Sequence, residues 1–301
     1  MRISTAYSFQ VSTAALQSRM ADLNHVQEQI ATNRRIVTPS DDPVGAAYAL
    51  QTAQELARSN NYTANINAAK TVVNRESVTL EAIRNVLVSA KNVATGSAGN
   101  PDTQQRTEYA NYLQQIYQDL VGYANSTDSN GNYMFSGSKG TTTPFQQVTG
   151  ASNYQGDNLQ QSIAISNSRQ IPINDSGQSV FGVGTANDPF KVIDQFITDL
   201  RNGALTGAAF DTAVSTALTG ITNAVDNVAN IQDQVGVRSQ ELDDALTAQT
   251  NFTNQFKNEL NRVESVDMQK AALELQVQQL SLQALQQTVA STGKLSLFNF
   301  L

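Results

Sequence analysis

The sequence has no cysteine, no tryptophan and a single histidine, His25. The missing thiols exclude disulfides, thiolate nucleophiles and Cys/His zinc sites. A serine–histidine triad would have to take its base from His25 alone. A cysteine-free chain suits a protein that must stay unlinked and threadable, although simple scarcity of the residue explains it equally well. Charge is also sparse, at 15% of 301 residues with a net of −7, and Gln, Asn, Ser and Thr take its place. That balance excludes the basic face a nucleic-acid binder needs to neutralise phosphates. No run approaches the ~18 apolar residues of a membrane-spanning helix. Residues 1–20 lack the apolar stretch of a secretory signal, so the expectation is a chain that stays inside or leaves without a cleaved signal. No cofactor is called for.

What is present is periodicity. Near the start Phe9, Leu16, Leu23, Ile30 and Val37 recur every seventh residue. Near the end Met268, Leu275, Leu282 and Val289 do the same, with Val266, Leu273 and Leu280 on a second row. Two further rows run through Ile66, Val73, Leu80 and Leu87, and through Val214, Ile221, Val228, Val235 and Leu242. Rows of this spacing require partner helices. For the middle rows an ordinary bundle core is an alternative to partners from other molecules. The final helix differs, because its apolar residues surround more than one face and must be covered on more than one side. The ends are also nearly neutral: from residue 271 onward Glu274 and Lys294 are the only charges. Uncharged polar termini suit surfaces buried between subunits, where an unpaired charge is costly.

A helix is expected over 5–36, ended by Thr38-Pro39-Ser40-Asp41-Asp42-Pro43. The same turn starts the next helix, with Asp42 as N-cap and Pro43 at the first helical position. Helices over 43–94 and 103–125 follow. Residues 126–188 hold eight of the 17 glycines and read as strands and turns. Tyr133-Met134-Phe135 is expected as a short buried strand. Leu159, Ile163 and Ile165, then Ile171 and Ile173, alternate around a hairpin at 166–170. From Pro189 the helical period returns. Beyond a break near 203–207 it reads as one helix of about 80 residues, roughly 120 Å long. The fold class is therefore mainly α with a small β insert: long helices folded back as a rod, a terminal coiled coil, a helical bundle and an antiparallel β domain. The expected domains are 1–42 with 264–301 for polymerisation, 43–130 with 189–263 as the helical rod, and 131–188 as an outer insert.

Catalytic patterns fail on inspection. Asp128, Asn130 and Asn132 resemble the opening of a calcium loop, but Tyr133 and Lys139 occupy the glycine and glutamate positions. Gly182-Val183-Gly184 lacks the third glycine and the βαβ setting of a dinucleotide loop. Asp41-Asp42 reads as capping, Asp243-Asp244 as a solvated helix face, and His25 as a surface or packing residue. Residues 126–188 contain no histidine, cysteine or glutamate. No convergent acid, base and nucleophile emerge, and no enzyme is expected.

The start Met1-Arg2-Ile3-Ser4-Thr5, the segment from Arg34-Arg35 through Pro39-Ser40-Asp41-Asp42-Pro43 to Ala46, and the ending Leu295-Ser296-Leu297-Phe298 resemble the flagellin superfamily. Tyr133-Met134-Phe135-Ser136-Gly137 and Glu264-Ser265-Val266-Asp267 are similar to family segments at the start of the insert and of the final helix. The turn with its two prolines is closer to hook–filament junction proteins than to filament flagellins, which usually carry a lysine-aspartate-aspartate version. The resemblance implies a secreted, extracellular structural part of the bacterial flagellum, exported unfolded and involved in motility. It implies as partners hook-associated protein 1, flagellin, copies of itself and a cytoplasmic export chaperone at the C-terminal helix, with no nucleic acid and no membrane. The subunit interface is expected at Phe9, Leu16, Leu23, Ile30, Val266, Leu273, Leu275, Leu280, Leu282 and Val289, with Pro39, Asp42 and Pro43 forming the turn. The terminal helices are expected to take shape only on docking. A filament-forming flagellin and a phage or secretion-system rod protein are the alternatives.

Overall fold

The computed structural model describes residues 2–99, 101–148 and 151–298. Met1 of the expected opening motif and the last three residues of the expected polymerisation region lie outside the described residues. The chain divides into two compact units, one of Met1–Ser59 with Asn251–Leu301 and one of Asn60–Thr250. Two long helices, α2 (Pro43–Gly96) and α6 (Ala208–Glu264), run from one unit into the other. The fold is mainly helical with small antiparallel β elements, as the sequence pattern predicts.

The unit of residues 60–250 is built on the two middle rows. Ile66, Val73, Leu80 and Leu87 of α2 are all buried, as are Val214, Ile221, Val228, Val235 and Leu242 of α6. These rows are the seam of an ordinary bundle core, completed by Ala110, Leu113, Ile116 and Leu120 of α3 (Thr103–Ala124). Gln105 and the N-cap Asp102 close α3 with a reciprocal capping box, satisfying two backbone donors at once. Between α2 and α3 the chain makes one 3₁₀ turn at Ser97–Gly99.

The insert departs from a single β domain. It contains two separate hairpins, β1 (Phe145–Val148) with β2 (Ala151–Tyr154) and β3 (Ser162–Ala164) with β4 (Gln170–Pro172). The second turns through 165–169, where the Ile165 N–H donates to the Arg169 carbonyl. Leu159 is exposed rather than part of the alternation, because its stretch precedes β3 and pairs with no strand. No strand forms at 133–135: Tyr133 makes an isolated antiparallel bridge with Thr127, and residues 134–135 turn. Met134 and Phe135 are nevertheless buried, so the apolar signal reported burial rather than extension. Phe135, Phe145, Phe181 and Phe190 form an aromatic cluster with ring centroids 4.8–5.8 Å apart. Phe181 closes α4 (Gly177–Phe181) and Phe190 opens α5 (Pro189–Arg201), whose N-cap Asp188 accepts from the Phe190 and Lys191 amides. The hairpin β3–β4 is tied to the rod by amide side chains. Asn65 donates to the Ala164 carbonyl at 2.9 Å and Gln249 to that of Ile165 at 3.1 Å.

The unit of residues 1–59 and 251–301 contains α1 (Arg2–Thr32), α7 (Met268–Phe298) and the adjoining ends of α2 and α6. Two expectations need correction here. The first helix ends at Thr32 rather than at 36, because Asn33 turns into the left-handed region at φ 54°. The following residues leave the helix to bond the end of α6, with the Arg35 N–H donating to the Glu264 carbonyl at 2.6 Å. The expected 80-residue helix is likewise two helices. Residues 265–267 break it, and Asp267 caps α7 by accepting from the Gln269 and Lys270 amides at 3.0 and 3.1 Å.

Candidate assembly surface

The turn between α1 and α2 is held by its two adjacent carboxylates. Asp41 accepts from the backbone N–H groups of Val37 and Thr38 at 2.9 and 2.8 Å and from the Thr38 hydroxyl at 2.9 Å. It also lies 2.8 Å from Nε2 of His25, which ties the turn back to α1. The Thr38 amide, above all, holds the Asp41 carboxyl well below the usual carboxylate range. Asp42 caps α2, accepting from the Gly45 amide at 2.9 Å, and its other oxygen takes 2.9 Å from Nη2 of Arg35. The Gly45 amide and then Arg35 lower the Asp42 pKa. Pro43 occupies the first position of α2, and Pro39 lies within the turn, before Asp41. Gly45 is required by close approach: a Cβ there would stand 2.4 Å from an Asp42 oxygen and 2.8 Å from Cδ1 of Ile36.

Opposite this turn is the break between α6 and α7. Arg34 pairs with Glu264, while Arg35 donates to the Val263 carbonyl at 3.1 Å. Tyr48 donates to Glu259. The guanidiniums of Arg34 and Arg35 thus fasten the end of α1 and the start of α2 to the end of α6. The sequence reading missed His25–Asp41, Arg35–Asp42 and Arg34–Glu264. The one signal that could have found them is the closeness of a basic pair, Arg34-Arg35, to an acidic pair, Asp41-Asp42.

Helices α1 and α7 pack on each other. Along α7, Leu275, Leu282, Leu285 and Val289 are half-buried and form one stripe at helical spacing. Leu273, Val277 and Leu280 form a second stripe on the opposite face, and they are 64%, 57% and 68% exposed. At 100° per residue the two stripes are about 160° apart, so one neighbouring helix cannot cover both. On α1, Leu16, Leu23 and Ile30 are half-buried around the buried Val26, whereas Phe9 is 63% exposed, with Tyr7, Val11 and Met20 also open. Val266 is half-buried in the break. Of the expected interface residues, Leu16, Leu23, Ile30, Leu275, Leu282 and Val289 are therefore partly covered within one chain. Phe9, Leu273 and Leu280 are not. Among the described residues, the single chain covers one side of its terminal helices and leaves the other side exposed.

The remaining polar groups shape the chain. Asp128 accepts from the Asn130 and Asn132 amides at 2.7 and 2.9 Å, folding its own loop. Gly182, with φ 58°, ends α4. Asp243 pairs with Lys70, and Asp244 accepts from Gln240 one turn earlier on α6. Among the described residues, no group of three or more His, Asp or Glu is placed to hold a metal ion, and no helix is long and apolar enough to cross a membrane.

This arrangement has relatives. Residues 3–140, which include α1, the Asp41–Asp42 turn, α2 and α3, match the family profile of the bacterial flagellin N-terminal helical region. Flagellar hook-associated protein 3 of Salmonella typhimurium is 26% identical over 315 aligned residues, with 99% of each chain covered. The protein of the same name from Escherichia coli matches at the same identity and coverage. In three dimensions the fold is similar to that of hook-associated protein 3 from Legionella pneumophila, at 18% identity and a TM-score of 0.64, covering 71% of this chain and 98% of that one. The chain thus matches a flagellin-type N-terminal helical region over residues 3–140 and is similar from end to end to hook-associated protein 3.

Proposed function

We propose that this protein is a structural adaptor at the hook–filament junction, joining the hook, through hook-associated protein 1, to the flagellin filament. Residues 1–42 and 264–301 form its polymerisation region, 43–130 with 189–263 its rod, and 131–188 an outward insert. Copies of the chain pack laterally and axially through α1 and α7 outside the cell. Before export, a cytoplasmic chaperone covers the C-terminal helix. The role is structural, and the polar residues that cluster at the 34–46 turn are occupied in bonds that shape the chain.

The observation that carries this reading is the bare stripe of Leu273, Val277 and Leu280, opposite the stripe that packs on α1. Leaving such residues in water forgoes roughly 1.5–3 kcal/mol for each Leu or Val that could be buried. A neighbouring subunit is the occupant that supplies the missing side. Leu280→Asp tests it. The purified variant should keep the wild-type helical signal and thermal transition, yet fail to co-sediment with hooks bearing hook-associated protein 1. Normal co-sedimentation would remove the reading's main support. Long fibres formed by the purified wild-type chain alone would instead favour a filament-forming flagellin.

A further inference from the structure

The unit of residues 60–250 buries three charged side chains together where the insert meets the rod. Glu76 comes from α2, Arg238 from α6, and Asp175 from the segment just before α4. Their side chains are 1%, 8% and 2% exposed. Nη2 of Arg238 lies 3.2 and 3.0 Å from the two Asp175 oxygens, and Gln160 adds a donor to Oδ1 at 2.8 Å. Glu76 is served less well. Its Oε1 accepts from the Asp175 backbone N–H at 2.9 Å. Its Oε2 stands 3.5 Å from Nη1 of Arg238, and neither of those two atoms makes a hydrogen bond.

Charge accounting then dictates where a proton goes. With all three groups ionised, two negative charges face one positive charge in a site nearly closed to solvent. A buried charge without compensation is costly, and two carboxylates sharing one site do not both ionise readily. Asp175 holds the guanidinium and the Gln160 amide, so the neutral carboxyl is Glu76.

We propose that Glu76, Asp175 and Arg238 form a proton-operated latch, which holds the insert to the rod while Glu76 is protonated and loosens once it ionises. The segment it holds is a junction of the insert. The Asn174 amide donates to the Gly137 carbonyl at 3.0 Å, the Ser176 hydroxyl meets Asn158 at 2.7 Å, and the Gly177 N–H donates to the Phe135 carbonyl at 2.8 Å. Freeing Asp175 therefore slackens both the loop at 135–137 and the stretch leading into β3.

The charged groups facing Glu76 are Asp175 and Arg238. Lys70 and Arg75, also on α2, are engaged with Asp243 and the Thr127 carbonyl. Asp233 and Glu241 are farther along α6, on the rim of a cleft of about 370 Å³ that Arg238 also lines. Burial, and then the charge of Asp175, push the Glu76 carboxyl up to about 8, against the opposing pull of Arg238. A raised carboxyl pKa means that the folded site binds a proton the opened site releases. The latch is thus tightest below the ordinary glutamate range and weakens as pH rises toward about 8.

Hydrogen exchange by mass spectrometry on the full chain, corrected for intrinsic exchange, tests the latch between about pH 5 and 9. Peptides spanning 171–181 should open up to about tenfold more per pH unit, levelling off near pH 8, while α3 peptides do not follow. Glu76→Gln should flatten that rise. Asp175→Asn, which keeps Glu76 but removes the second negative charge, should move the levelling-off to lower pH and decides the matter if Glu76→Gln does not fold. The latch is overturned by a wild-type profile without pH dependence, by α3 peptides sharing it, by an unchanged profile in Glu76→Gln, or by an unmoved plateau in Asp175→Asn.

Discussion

The two units spend similar apolar residues differently. In residues 60–250 the rows by sevens close into a continuous buried core that runs from Ile66 to Leu242 and takes in the aromatic cluster of the insert. In residues 1–59 with 251–301, the buried hydrophobic residues are Val26, Ile36, Ala49 and Ala271, among the described residues. The same heptad spacing thus has two outcomes. Where three or more helices surround a row, it becomes core. Where α1 and α7 have chiefly each other, one face of each stays exposed among the described residues. Polar fixtures compensate only locally: the Asp41–Asp42 turn and the Arg34–Glu264 pair set the path of the chain without adding a core.

This contrast can be broken most directly by truncation. Phe190 packs against Phe145, Phe181 and Tyr117 and is buried. Phe190→Ala should lower unfolding stability by about 3–5 kcal/mol, read from urea titration of the full chain. Leu280→Ala should cost the isolated chain less than about 0.5 kcal/mol, as for a surface position. Comparable losses at the two sites would erase the distinction between a closed core and an open one. Limited proteolysis sharpens it further. The terminal helices should be trimmed first, leaving a resistant fragment near residues 45–260, because one-sided packing makes local opening easy. Uniform resistance along the chain would contradict that.

The smallest effect concerns acidity, and it runs in opposite directions in the two units. The pKa values of Asp41 and Asp42 are depressed by hydrogen bonds that exist only when the turn is folded. Their stabilising contribution is present above about pH 4 and is lost as pH falls through the lower folded values. Exchange protection at 37–46 should therefore drop on acidification, while the Glu76 site tightens. Protection at that turn that stays constant to about pH 2 would show that the two carboxylates do not hold it.

Much of this was legible in the residues. The heptad rows located the helices, and Asp42-Pro43 marked the start of α2, because capping and periodicity are local properties that need only nearby sequence. The second apolar stripe of α7 was visible as Leu273 and Leu280 beside Leu275, Leu282 and Val289. The end of α1 at Thr32 was not, since Asn33 leaves the helix in favour of a bond to residues more than 200 positions away. The break at 265–267 was hidden for a related reason: apolar spacing continues through it, and only the cap at Asp267 and the bonds from Arg34 and Arg35 interrupt the helix. At 133–135 burial was mistaken for strand, as a short apolar run carries no period of its own.

The sequence by itself determined that the chain is mainly helical and that its ends are apolar and nearly neutral. Those properties follow from composition and spacing, which no folding step can change. Only the tertiary structure decided which rows find enough neighbours to be closed over and which remain open. It also decided that Glu76, Asp175 and Arg238, each ordinary in the sequence, share one buried site. Burial and charge proximity are properties of neighbours in space, and helices that run out and return set those neighbours far from one another along the chain.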